Sequence, residues 1–202
     1  MPETQEARSQ WAGLFAVECV GQTGFWDWLI VAVQRINRLA SHASLGLWPR
    51  REMRPGPQPE RVTHVGMIAR GCVLEAIGIS AAQSGVVQGD IAAAAARYRG
   101  LAVRVWYLPA AEPSGAITAY DRALRHRGEA YDYKGALEAG LDVFEAWGWG
   151  RAAKENRVWF CSKLVGEAWG DSNWEELTPS DVVRKAGRWD LAAARLLYAP
   201  AE

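Results

Sequence analysis

The chain has 202 residues, half of them apolar, enough to bury one substantial core and too few to make a second independent domain the first expectation. Lysine plus arginine and aspartate plus glutamate stand at 23 each, so no net field draws the protein toward nucleic acid or an anionic membrane, and neither is expected as a partner. Cys19, Cys72 and Cys161 are odd in number and form no C-x-x-C pair, which argues for free thiols and against a disulfide framework or a structural zinc site.

No cofactor or metal is expected. The first ten residues are polar and acidic, the opposite of a secretory signal's basic start. The apolar run over 28–33 is too short to span a bilayer. The expectation is a soluble protein, cytoplasmic as synthesised and without stable membrane insertion. Eleven tryptophans point to a core, and a groove, built from large flat side chains.

Residues 14–20 are short, apolar and partly β-branched, which suits a strand and equally a buried turn of helix. Over 26–40, Trp26, Leu29, Ile30, Val33, Ile36 and Ala40 recur at helical spacing and predict an amphipathic helix. Pro49, Pro55, Pro57 and Pro59 exclude regular structure over 48–60 and predict a long surface loop, a candidate lid. Residues 62–69 and 72–79 are β-compatible and meet at Arg70 and Gly71, which predicts a hairpin.

Asp90 is placed to cap an alanine-rich helix ending near Tyr98, and residues 101–108 read as a strand closed by Pro109. Ser114 is placed to cap a helix reaching about His126. Asp132 is placed to cap another, with Leu137, Leu141, Phe144 and Trp147 on its apolar face and Gly148 and Gly150 at its end. After Val158, Trp159 and Phe160, the spacing of Cys161, Leu164, Val165 and Ala168 predicts a helix that opens at an inward-facing Cys161. Thr178, Pro179 and Asp181 announce a further short helix, and residues 189–198 read as a returning strand. Helices and strands mix without regular alternation and without an internal repeat, so the fold class is α+β.

A cysteine nucleophile needs its thiolate, a base within hydrogen-bond reach and a group that fixes the base's tautomer. If the Arg70–Gly71 turn keeps an even register, Glu75 lies opposite Gly66 and one diagonal step from His64, on the same face. Gly66 leaves room between them. Cys161 at a helix start gains from the partial positive charge and free amides there, which lower a thiol pKa and can hold an oxyanion.

The run Thr63-His64-Val65-Gly66-Met67-Ile68, then Val73-Leu74-Glu75-Ala76, then Phe160-Cys161-Ser162-Lys163-Leu164-Val165 resembles the permuted papain-like, NlpC-related peptidases of the YiiX-like kind. Tyr131-Asp132 and Thr178-Pro179-Ser180-Asp181 are similar to further landmarks of that family, so the resemblance covers about 62–198. It implies a circularly permuted papain-like fold, an antiparallel sheet packed against helices, with the nucleophile at a helix N-terminus. It also implies Cys161 as nucleophile, His64 as base and Glu75 as the polar third member. Lys163 departs from the pattern, since many relatives carry glutamate there, and its side chain is expected to point away from the thiol.

The expected activity is nucleophilic acyl transfer to water, on a peptide or acyl substrate. The resemblance implies cell-wall peptides as one substrate class and lipid-linked amides or esters as another. For a cell-wall enzyme, the start of the chain then calls for a phage particle or another export route. The alternatives are a lipid acyltransferase or thioesterase related to lecithin retinol acyltransferase, using the same three residues, and a non-catalytic virion or structural protein that retains the fold.

Other candidates are weaker. Cys19 with His42 would give papain's order, but His42 sits in a segment that reads as a helix end and loop. His126 is expected to be a solvated helix-end residue, Cys72 a packing residue, and Tyr131 and Tyr133 helix-flanking packing residues.

Overall fold

The computed structural model of the protein describes residues 10–21, 57–80, 83–132, 158–172, 174, 177–185 and 187–200. The helix expected over 26–40, the loop over 48–56, the helix expected after Asp132, and His42, Tyr133, Gly148 and Gly150 lie outside them.

Strand β1, Ala12–Cys19, is buried along its whole length, which settles the strand-or-helix alternative at this segment. A 3-10 turn over Pro59–Arg61 leads into β2, Val62–Ala69, so the proline-rich stretch is not irregular to its end. Proline at the first position of a helical turn loses no hydrogen bond, which is why Pro59 starts the turn and does not block it. β3, Cys72–Ser80, follows through Arg70 and Gly71, with φ of 53° and 76°. This is the two-residue turn whose twist matches a hairpin. Arg70, strained at positive φ, is tied by two hydrogen bonds to Asp121, at 2.7 and 3.0 Å. Met67 pairs with Leu74, Ile68 with Val73 and Ala69 with Cys72, the register that an even turn predicts.

β4, Gln83–Asp90, is a strand that sequence periodicity does not announce, because Gly85, Gly89 and its polar side chains erase the alternation. Its state is imposed by pairing: the ladder with β3 runs from Cys72–Asp90 to Ser80–Gln83. Asp90 then caps helix α1, Ile91–Ala96, accepting from the Ala93 amide at 2.8 Å. β5, Val103–Pro109, alternates buried and more exposed residues over its first half. Helix α2 runs over Pro113–Ala123 with Glu112 at the N-cap and no side-chain cap, so Pro113 and not Ser114 sets its start. A 3-10 turn over Leu124–His126 extends it.

β6, Ala130–Tyr131, and β7, Val158–Trp159, form a small parallel pair, so Tyr131 is a strand residue and not a helix flank. Helix α3, Cys161–Ala168, starts where its periodicity predicts. Helix α4, Pro179–Arg184, opens with a reciprocal capping box between Thr178 and Asp181. The tail supplies β8 over Arg195–Tyr198 only, preceded by a 3-10 turn over Leu191–Ala193.

Six strands form one sheet in the order β4-β3-β2-β1-β5-β8, and every neighbouring pair is antiparallel. An antiparallel sheet with helices packed on it is the α+β class expected. One face, with Leu14, Ala16, Val65, Met67 and Leu74, packs against α2, α3 and α4. The other, with Phe15, Val17, Ile68, Val73 and Val105, packs against α1 and Tyr98. Residues such as Leu14, Phe15, Met67 and Ile68 are fully buried, each contributing about 1.5–3 kcal/mol of transfer free energy. Among the described residues no helix is long and apolar enough to cross a membrane.

Candidate active site

His64 and Glu75 lie on neighbouring strands of the hairpin. The hydrogen-bonded ladder between β2 and β3 ends at Met67–Leu74, and the next facing pair is Gly66 and Glu75. A Cβ on Gly66 would stand 2.9 Å from Glu75 Cβ and 2.9 Å from the Leu74 carbonyl oxygen, so only glycine lets Glu75 lie flat against β2. On its other side β2 meets β1 with Val17 opposite His64 and Glu18 opposite Val62, which makes Thr63 an extra residue in a bulge. Bulges bend and twist a strand, and this one re-aims the backbone next to His64. The result is a His64 Nε2–H donating to Glu75 Oε2 at 2.7 Å, with Glu75 at 0 % exposure and His64 at 15 %.

Replacement Gly66→Ala is expected to cost about 1–3 kcal/mol in denaturant unfolding, since neither the backbone nor a buried carboxylate stem can give way easily. It should also slow alkylation of Cys161 at neutral pH by displacing Glu75 from His64. Unchanged stability together with unchanged alkylation would show that this close approach does not matter.

Cys161 is the first residue of α3, preceded by Phe160 in an extended conformation that offers no side-chain cap. Burial pushes its thiol up, but the charge and hydrogen bond of His64 and the amides of Val65 and Ser162 more than offset this, and the net direction is down. Because His64 Nε2 is engaged by Glu75, the ring nitrogen left to face the thiol is Nδ1. Cys161 belongs to the core on the α2, α3 and α4 face, whereas Glu75, between Leu74 and Ala76 of that core, points to the α1 face. His64 therefore connects a thiol from one side of the sheet to a carboxylate on the other, at the place where the β2–β3 ladder stops.

Two further residues reach Glu75. Arg97, which follows α1, donates from Nη2 to Oε1, and the Tyr98 hydroxyl lies 3.5 Å from Oε2. Neither is signalled by the sequence, in which the segment reads only as the end of an alanine-rich helix.

The remaining candidates have other surroundings. Cys19 donates its thiol hydrogen to the Gly21 carbonyl at 3.3 Å, and Cys72 packs at the margin of the core. His126 is not a solvated end residue: its ring packs on Trp159 at 4.0 Å between centroids and its Nδ1 meets Glu129 Oε2 at 3.1 Å. The apolar face of Trp159 and the neighbouring carboxylate outweigh hydration of a neutral or charged imidazole at this edge. The Lys163 ammonium turns to Asp132 Oδ2 at 3.8 Å and to the rings of Trp159 and Trp174, at 5.4 and 5.3 Å. Among the described residues no group of three or more metal-ligating side chains could hold an ion.

Comparison with known proteins adds no relative: no family model, no curated protein and no solved structure matches the chain.

Proposed function

We propose that the protein is a cysteine-dependent hydrolase that cleaves amide bonds by acyl transfer through Cys161, and that its fold is of the circularly permuted papain-like kind. One observation carries the reading: burial raises the Cys161 thiol at the head of α3, yet the neighbouring His64 brings it down on balance, and His64 Nε2 donates to the buried Glu75 at 2.7 Å. The chain order supports it too, with the histidine strand before the cysteine helix as in the family the motifs resemble. A buried thiol without such partners would be a packing residue with its pKa raised.

In this reading His64 takes the thiol proton and the Cys161 thiolate attacks the substrate carbonyl carbon, forming a C–S bond as the carbonyl electrons move to oxygen. The uncapped amides at the start of α3 receive the resulting oxyanion. The imidazolium of His64 gives its proton to the leaving nitrogen as the C–N bond breaks, leaving an acyl-enzyme. His64 then draws a proton from water, whose oxygen attacks the same carbon, and the sulfur leaves and is reprotonated. Glu75 stays ionised and keeps the ring turned. Cell-wall peptides are the substrate class that the resemblance suggests.

The test starts with the thiol. Brief iodoacetamide treatment near neutral pH, followed by peptide mapping, should label Cys161 ahead of Cys19 and Cys72, since only Cys161 combines a helix start with a base. Purified peptidoglycan and acyl-ester lipids are then offered side by side, with release of amines or fatty acids as the readout. Turnover of the lipid alone would reassign the enzyme as an acyltransferase or thioesterase, and labelling of Cys19 or Cys72 first would remove Cys161 as nucleophile.

A further inference from the structure

We infer that Arg97 is a positioning residue of this site, holding Glu75 ionised so that His64 keeps the nitrogen facing Cys161 free to act as a base. The inference rests on the proposed hydrolase reading and adds a fourth residue to it.

Glu75 has no solvent exposure, and its two oxygens are divided between partners. Oε2 accepts from His64 Nε2 at 2.7 Å, with the Tyr98 hydroxyl 3.5 Å away, and Oε1 accepts from Arg97 Nη2. Arg97 is the C-cap of α1, which hangs directly on β4, and β4 pairs with β3 at Val87–Glu75. Acid and arginine are therefore placed by one continuous unit of chain. Tyr98 continues it, packing on Phe15 and on the His64 ring with centroids 6.0 and 6.2 Å apart. Arg97 Nε is buried and makes no hydrogen bond, so the described guanidinium contact is to Glu75 and not to a wider surface network.

The chemistry follows from what a buried carboxyl does when left alone. Burial favours its neutral form, and a protonated Glu75 would donate to His64 Nε2. The ring would then carry its own hydrogen on Nδ1, the nitrogen that faces the thiol, and the base would be lost. An arginine cannot deprotonate at any working pH, so it keeps Glu75 an acceptor only. It acts on the thiol through two residues and touches no reacting atom. A purely structural ion pair would look the same in a melting curve, but it would leave the ionisation of the Cys161–His64 pair untouched.

The experiment is the pH dependence of Cys161 alkylation by iodoacetamide, from pH 4 to 9, in the wild-type chain, Arg97→Gln and Arg97→Lys, with far-UV circular dichroism confirming that each is folded. It needs no substrate. The acid limb in Arg97→Gln should move up by about one pH unit, which slows labelling roughly tenfold on that limb. Arg97→Lys, which keeps the charge, should stay close to wild type. Arg97→Met carries the same reading if Arg97→Gln does not fold. An acid limb in the neutral variant that superimposes on wild type overturns the role of Arg97 and leaves the hydrolase reading standing. A wild-type limb no different from an ordinary cysteine removes the hydrolase reading, and this inference with it.

Discussion

Cys161→Ala is expected to abolish turnover, by at least roughly 10⁴-fold, while the protein stays folded. The sulfur is one atom in a side chain 6 % exposed at the head of a helix, so its loss opens little cavity and should cost about 1 kcal/mol or less. The chemistry has no substitute: Ser162, the next hydroxyl, is buried and donates to the Leu177 carbonyl, which turns it away from nucleophilic use. His64→Ala should fall almost as far, because a nucleophile and its base act as one unit and removing either removes both. The two losses should not multiply in the double variant. Assay of the purified variants on whichever substrate the wild type cleaves, beside their melting curves, decides this. A folded Cys161→Ala protein with substantial turnover would end the acyl-enzyme mechanism.

The parts of this arrangement that could be read from sequence are those encoded within a few residues. Arg70-Gly71 between two β-compatible runs sets an even turn, and that alone fixes the pairing that brings Glu75 opposite Gly66. The start of α3 at Cys161 follows from its own periodicity, and Thr178 with Asp181 and Asp90 with Ala93 are caps three residues wide. What sequence could not give depends on distant pairing. β4 has no alternation of its own and becomes a strand because β3 lies beside it. Arg97 is 22 positions from Glu75 and reaches it only because β4 and α1 double back over β3. His126 reads from sequence as solvated because Trp159, its packing partner, belongs to a strand whose position no local pattern reveals.

The relation between the two sheet faces was the least legible element. Period-two reasoning correctly puts His64 and Glu75 on one face, yet it says nothing about which face carries the cysteine helix. The helix lies on the opposite one, and His64, next to the end of the β2–β3 ladder, is the residue that relates the two. Local register and the point where pairing stops are thus both parts of the site, and only the first is written in adjacent residues.

Glu75→Gln is expected to damage stability as well as activity, in contrast to the usual orienting residue that can be changed without unfolding. Glutamine has the same shape but no charge, so Arg97, 23 % exposed, would be left beside a neutral amide. Removing one partner of a buried pair is destabilising because the remaining charge is left uncompensated, and with Arg97 part exposed to water the cost is about 1–3 kcal/mol. Turnover should drop by about 10²-fold or more, since an amide can present its N–H₂ to His64 and favour the wrong tautomer, but by less than in Cys161→Ala. The origin of the stability loss can be separated from that of the activity loss by adding Arg97→Met to Glu75→Gln. With both charges gone, denaturant unfolding should recover a large part of the lost free energy, because an apolar side chain replaces an unpaired cation. Alkylation of Cys161 at pH 6 to 7 should remain slow in the double variant, because no carboxylate holds His64. Recovery of stability without recovery of thiol reactivity is the expected pattern, whereas a Glu75→Gln protein as stable and as reactive as wild type would remove Glu75 from the site.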